Sequence, residues 1–145
     1  MFDELEKYKQ NDHFFFNPSQ NLREVCNAPA DRSGVYLVYA LAGGRVELIY
    51  IGCSGKENPD GSIFVRKAGL GGLKDRLING HQFGKTPRRI SWPTQMLIEN
   101  IEALDVYWYA THGEGCSDCP AKLEKSLQAR YQSVYGKWPR WNRKG

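Results

Sequence analysis

No apolar run in this 145-residue chain approaches the ~20 residues that a membrane-spanning helix needs. The opening segment, MFDELEKYKQ, has no basic stretch leading into an apolar one, so no secretory signal is expected. Fifteen glycines and seven prolines are too few for a collagen-like or low-complexity chain. Eight tyrosines, six phenylalanines and four tryptophans exclude the composition of a disordered one. The four cysteines, Cys26, Cys53, Cys116 and Cys119, are not expected to make a disulfide scaffold in a chain in which no secretory signal is expected. Charge of one sign is not in large excess either, since 20 Lys and Arg face 16 Asp and Glu, a net of +4. A single intracellular (cytoplasmic) domain, large enough to bury about two-thirds of its unfolded surface, is the expectation.

What charge there is lies unevenly. Residues 1–33 are net acidic, whereas Lys56, Arg66, Lys67, Lys74, Arg76, Lys85, Arg88 and Arg89 crowd one window against Glu57, Asp60 and Asp75. The last 40 residues are also net basic. Such a distribution suits a polyanionic partner, nucleic acid above all, although a merely solvated basic face has the same composition. Cys116 and Cys119 have the spacing of a zinc half-site, with His112 near, but no second close pair completes it. Cys119-Pro120 reads more simply as the start of a helix.

Along the chain, residues 1–33 read as a helical extension: a short helix near 2–9, then a second with Asn17 as cap and Pro18 in its first turn. Phe14, Phe15 and Phe16 dock it on the body. GVYLVYALA (34–42) and RVELIYIG (45–52) are strands joined at Gly43-Gly44. Two loops are allowed there. A two-residue turn pairs Tyr36 with Ile51 and leaves Tyr36 and Tyr50 on opposite faces. A three-residue loop pairs Leu41 with Arg45 and sets the two tyrosines directly opposite each other. Residues 53–69 form a polar loop long enough to be functional. A short helix follows, with Leu73 and Leu77 buried, Arg76 at its edge and Gly80 as its stop. Ser91 caps a helix running to about Glu102, with Pro93 in its first turn. ALDVYWYAT (103–111) is a third strand, and the longest helix, from Pro120, puts Leu123, Leu127, Tyr131 and Val134 on its core face and stops at Gly136. The fold class is therefore α/β (α+β), a small three-stranded antiparallel sheet flanked by helices in the order β-β-α-α-β-α.

Gly34-Val35-Tyr36, Tyr50-Ile51-Gly52, Arg76 on the following helix, Glu124 on the last long helix and Asn142 in the PRWN tail form an ordered set. At these points residues 34–142 resemble the GIY-YIG endonuclease family. GVY stands where the family has GIY, YIG is unaltered, and Arg76, Glu124 and Asn142 fall where the family carries its arginine, metal-binding glutamate and closing asparagine. The resemblance implies a Mg²⁺- or Mn²⁺-dependent nuclease domain over residues 34–145 that cuts DNA. In it one tyrosine serves as general base and the other orients it; Tyr36 is taken as the base, with Tyr50 the alternative. No small-molecule cofactor is expected, nor any membrane partner.

Elementary chemistry agrees. Phosphodiester hydrolysis needs an activated water, neutralised phosphate charge and help for the leaving oxygen. A single carboxylate, Glu124, suffices for Mg²⁺, which keeps most of its waters and takes further ligands from phosphate. Arg76 offers a planar fork to phosphate oxygens. A phenol with an ordinary pKa near ~10 is an odd base. A cation, metal or second phenol must lower that value or relay the proton, which favours the register that brings Tyr36 and Tyr50 together. Lys56, Arg66 and Lys67 of the long loop, with His81, Lys85, Arg88 and Arg89 of the basic stretch, are the candidate DNA contacts. His81 departs from the family pattern: a histidine or tyrosine is common one turn after the arginine, but that position here is Gly80, about 100° away around a helix.

Homing enzymes of this family carry a separate DNA-binding domain after the nuclease. Asn142 lies three residues from the end of this sequence, so a stand-alone nuclease is expected, with any DNA preference coming from residues 1–33, 53–69 or 81–90. Cutting both strands then requires a homodimer or two visits. The competing readings are an inactive nucleic-acid-binding module of the same fold and a zinc-dependent interaction domain around Cys116 and Cys119.

Overall fold

Gly43 and Gly44 both take left-handed backbone angles, φ 56° and 75°, the conformation a tight two-residue hairpin turn demands. They join β2 (Gly34–Ala42) to β3 (Arg45–Ser54) in the computed structural model, which describes residues 1–67, 69–113 and 116–142, without the side chains of Lys56, Gly113, Cys116 and Ser117. The remaining strands are β1 (Asn11–Phe16), the short hairpin β4 (Lys56–Glu57) and β5 (Ile63–Phe64), β6 (Ala103–Ala110), and the pair β7 (His112–Gly113) and β8 (Cys116–Ser117). Helices α1 (Leu22–Val25), α2 (Gly72–Asn79), α3 (Arg88–Glu99) and α4 (Pro120–Tyr135) complete the chain, with a single 3-10 turn over Asp3–Lys7.

The main sheet has four strands, not three. It is antiparallel throughout, in the order β1-β6-β2-β3. The added strand lies in the segment expected to be a helical extension. Phe14 and Phe16 are buried while Phe15 is exposed, the two-residue period of a half-buried strand, and Asn11 to Phe16 pair with Tyr109 to Leu104. The second N-terminal helix starts later than Asn17 and Pro18. Asn21 caps α1 through Oδ1, which accepts from Arg23 N at 3.0 Å, and Asn17 instead opens a turn closed by Gln20 N.

Two further departures concern helices. α3 starts at Arg88 rather than after Ser91, because Pro87 caps it and the Arg88 side chain turns inward; Pro93 thus falls inside the helix. On α4, Leu127 and Tyr131 are buried and Leu123 half-buried, but Val134 is exposed, the helix having run past the sheet by that point. Gly136 ends it in the left-handed conformation, φ 70°.

Each face of the sheet carries its own core. Phe14, Phe16, Tyr36, Val38, Leu104 and Val106 meet Leu73, Leu77, Trp92, Met96 and Trp141 on the α2/α3 face. Val35, Leu37 and Ile51 meet Leu5, Leu127 and Tyr131 on the α4 face. β3 is a sheet edge, and the C-terminal segment occupies its outer side. Trp141 N donates to Ile49 O at 2.8 Å, and Asn142 both accepts from Ile51 N and donates to Ile51 O at 2.9 Å. Among the described residues no helix is long and apolar enough to cross a membrane.

Candidate active site

Tyr36 and Tyr50 do come together on one face, though by neither of the two expected routes. The turn is the two-residue one, with Ala42 paired to Arg45, so unbroken pairing would oppose Tyr36 to Ile51. A bulge intervenes: Val38 pairs with Tyr50 and Tyr39 with Leu48, leaving Ile49 as the extra residue. Beyond it the register moves by one, Tyr36 lies opposite Gly52, and the phenols become diagonal neighbours with ring centroids 6.0 Å apart. Gly52 is what admits them. A Cβ there would lie 2.5 Å from Tyr50 Cε2 and 2.6 Å from Tyr36 Cε2 and Cζ.

Beneath the pair lies Arg88, which the basic stretch led us to expect on the surface and which is instead wholly buried. Its guanidinium is 5.3 Å from the Tyr36 ring centre and 5.4 Å from that of Tyr50, and Nη2 donates to Tyr50 Oη at 3.2 Å. Nη1 donates to the Arg76 carbonyl at 2.6 Å and Nε to Gln82 Oε1 at 3.1 Å, the latter also receiving Trp92 Nε1. Position 80 must then be glycine, since a Cβ there would meet Arg76 O at 2.3 Å and Arg88 Nη1 at 2.8 Å. Arg88 fills the space in which a side chain one turn after Arg76 would have to fit.

Arg76 comes from α2 and faces Tyr36. That phenol is the largest influence holding its guanidinium in the charged form, with burial acting against it. Tyr36 Oη and Arg76 Nε are both buried, and the phenol meets the guanidinium in a hydrogen bond looser than the ideal geometry. Glu124 approaches from α4 on the other face, at the carboxyl end of β3. Burial raises its carboxyl above the ordinary range, and a hydrogen bond with the Cys53 thiol and the charge of Arg76 offset part of that. Cys53 is pushed up to about 12 by burial and then by Glu124, so it stays a thiol. Tyr50 is pushed up as well, by burial and then by Tyr36, with Arg88 compensating only in part.

A groove of about 300 Å³ opens beside this cluster, lined by Cys53, Ser54, Gly55, Phe64, Arg66, Arg76 and Ala121. Arg66 is fixed in it by its Nε, 2.7 Å from Oδ2 of buried Asp75. Burial raises the Asp75 carboxyl, but hydrogen bonds from Asn79, Leu70 N and Arg66 outweigh that and hold it below the usual range. The other expected contacts are dispersed. Lys67, His81, Lys85 and Arg89 are exposed, Arg89 reaching Asn79 Oδ1 at 3.0 Å. Asn142 stands apart from the phenols and clamps the Ile51 backbone. The side chains of Lys56 and Cys116 lie outside the described residues; Cys119 caps the start of α4 as a free thiol.

The site thus offers one hard oxygen donor among cations. Among the described residues no group of three or more His, Cys, Asp or Glu forms a metal cage. Glu124 alone fits a hydrated Mg²⁺ or Mn²⁺ shared with a substrate phosphate, the coordination these ions accept, and not an all-protein site. No protein-family model matches the sequence, and comparison with curated proteins and with solved structures returns no significant match to either.

Proposed function

We propose that this chain is a divalent-metal-dependent endonuclease of the GIY-YIG type, hydrolysing DNA phosphodiester bonds. The observation that carries the reading is the convergence of two phenols, the guanidiniums of Arg66, Arg76 and Arg88 and one carboxylate at the carboxyl end of β3, with the buried Tyr36 oxygen set against the Arg76 guanidinium. Arg76 and Arg66 receive the phosphate oxygens, and drawing Arg76 toward phosphate frees the Tyr36 Oη it faces. Tyr36 acts as the phenolate, its own proton having passed to solvent while Arg76 faced the oxygen; Oη then accepts the proton of the attacking water and returns to the neutral phenol, leaving hydroxide to attack phosphorus. Tyr50, which burial keeps protonated and which Arg88 fixes by its oxygen, orients that water as a donor. Glu124 would hold Mg²⁺ or Mn²⁺, which neutralises charge on the phosphate and the leaving oxygen. Asn142, by clamping Ile51, keeps Tyr50 and Gly52 at their heights on the sheet.

The test is cleavage of supercoiled plasmid by wild type and Glu124→Ala, with Mg²⁺, with Mn²⁺ and with EDTA. Nicking or linearisation that requires both metal and Glu124, with a loss of roughly 10³-fold or more in the variant, is the expected result. Salt-sensitive DNA binding without cleavage would replace the enzyme with a binding module of the same architecture.

A further inference from the structure

The groove beside the site is small, its cations are recessed, and its lip carries an aromatic ring. At about 300 Å³ it lies at the lower end of small-ligand cavities, with room for one nucleotide and not for a duplex. Arg76 is half-buried at its base, and Arg66 is held by Asp75 rather than extended outward. A phosphate that reaches both must leave the outline of regular B-form DNA, and the base attached to it must leave the stack.

The ring at the lip is Phe64. The β4–β5 hairpin presents it by strand alternation: Ile63 is buried as an anchor, and the next residue, Phe64, is 44% exposed. The hairpin is well braced. Asn58 N donates to Ser62 O at 2.7 Å, Asp60 accepts from both Ser62 N and Oγ, and Lys122 of α4 pairs with Glu57 at 3.2 Å. Gly55 brings the hairpin close to the body, since a Cβ there would meet the Phe64 carbonyl oxygen at 2.9 Å and Ser33 Cβ at 2.5 Å. The exposed part of the ring offers an aromatic face at the groove, and an aromatic face is what a splayed nucleobase requires.

We propose that the β4–β5 hairpin forms a base-stacking subsite, in which Phe64 covers one unpaired nucleobase while Arg66 and Arg76 hold its phosphate. The inference rests on the phosphodiester reading and names its substrate class: DNA carrying an unpaired or readily extruded nucleotide at the point of cleavage.

Fluorescence anisotropy with the full chain in EDTA tests it, using a labelled duplex with a single-nucleotide bulge and its fully paired counterpart. Wild type binds the bulged duplex roughly ten-fold more tightly, Phe64→Ala loses that preference, and Phe64→Trp retains it. Equal affinity of wild type for the two duplexes overturns the inference, as does a preference that survives Phe64→Ala. Cleavage of both duplexes in Mg²⁺ is scored separately. A wild type that cleaves but shows no Phe64-dependent preference leaves the nuclease standing and removes the subsite. Phe64-dependent bulge binding without cleavage does the reverse, and no DNA binding at all removes both.

Discussion

The two faces of the sheet hold the site from opposite sides and are built differently. On the α2/α3 face, Trp92, Met96, Leu77 and Trp141 are essentially removed from solvent, and Arg88 is locked by bonds to Arg76, Gln82 and Tyr50. On the α4 face the helix rests on Leu127 and Tyr131, with Leu123 half-covered and Val134 in solvent. The phenols and Arg88 are thus held on the side where α2 and α3 bury most of their inward residues, while the Glu124 carboxylate is carried on a helix of which only Pro120, Leu127 and Tyr131 are buried. On the proposed reading, the side that fixes the phenols and Arg88 is the one on which charge would be stabilised.

The largest effect that sharpens this contrast is expected from Tyr36→Phe. Loss of the proton acceptor lowers kcat by roughly 10²–10⁴-fold. Because the hydrogen bond of Tyr36 Oη is looser than the ideal geometry, unfolding free energy changes by no more than about 1 kcal/mol. Normal turnover in this variant would transfer the base role to Tyr50. Arg88→Ala leaves the Arg76 carbonyl and Tyr50 Oη without their donor, and denaturant titration should show a loss of about 2–4 kcal/mol. A loss below about 0.5 kcal/mol, the size expected of an exposed arginine, would show that Arg88 does not hold this face together.

Gly52→Ala forces a methyl group between the two rings, costing about 1–3 kcal/mol and spreading the phenols, so stability and cleavage should fall together. Unaltered cleavage would show that the close approach of the rings is dispensable. The smallest effect concerns α4. Burial raises the Glu124 pKa, so the folded chain retains a proton that the unfolded chain releases. Relative to Glu124→Gln, wild type should lose stability as pH rises from the ordinary glutamate range through the raised folded value. Thermal midpoints of the two proteins at about pH 4 and about pH 8 measure this; a gap that stays constant would mean the carboxyl is solvated.

Much of the frame was readable in the residues. β2, β6 and α4 fall within a residue or two of their expected limits, since alternating or helical periodicity and glycine stops mark them locally. The pairing of Tyr36 with Tyr50 on one face was legible as a requirement, but the bulge that achieves it was not: Ile49 is as apolar as its neighbours, and nothing local marks it as the extra residue. β1 was hidden by its three consecutive phenylalanines, whose alternation shows only once Phe15 is seen exposed; their β-propensity was the available signal. Arg88 was read as surface because Lys85, Arg88 and Arg89 look alike in a row. Its burial depends on partners from β2, β3, α2 and the segment after it, which no local pattern encodes. Gly80 was the indirect clue, a gap in the motif that another side chain fills.

The clamp on β3 has a consequence beyond the site. A sheet edge with free N–H and C=O groups is a template for another chain's strand, and the carboxyl half of β3 is apolar enough to invite one. Trp141 and Asn142 engage Ile49 O and the N–H and C=O of Ile51, so this part of the edge is already satisfied within the molecule. The contacts on Ile49 and Ile51 therefore also guard against self-association, and loosening them should appear first as lost colloidal stability on storage, ahead of any unfolding.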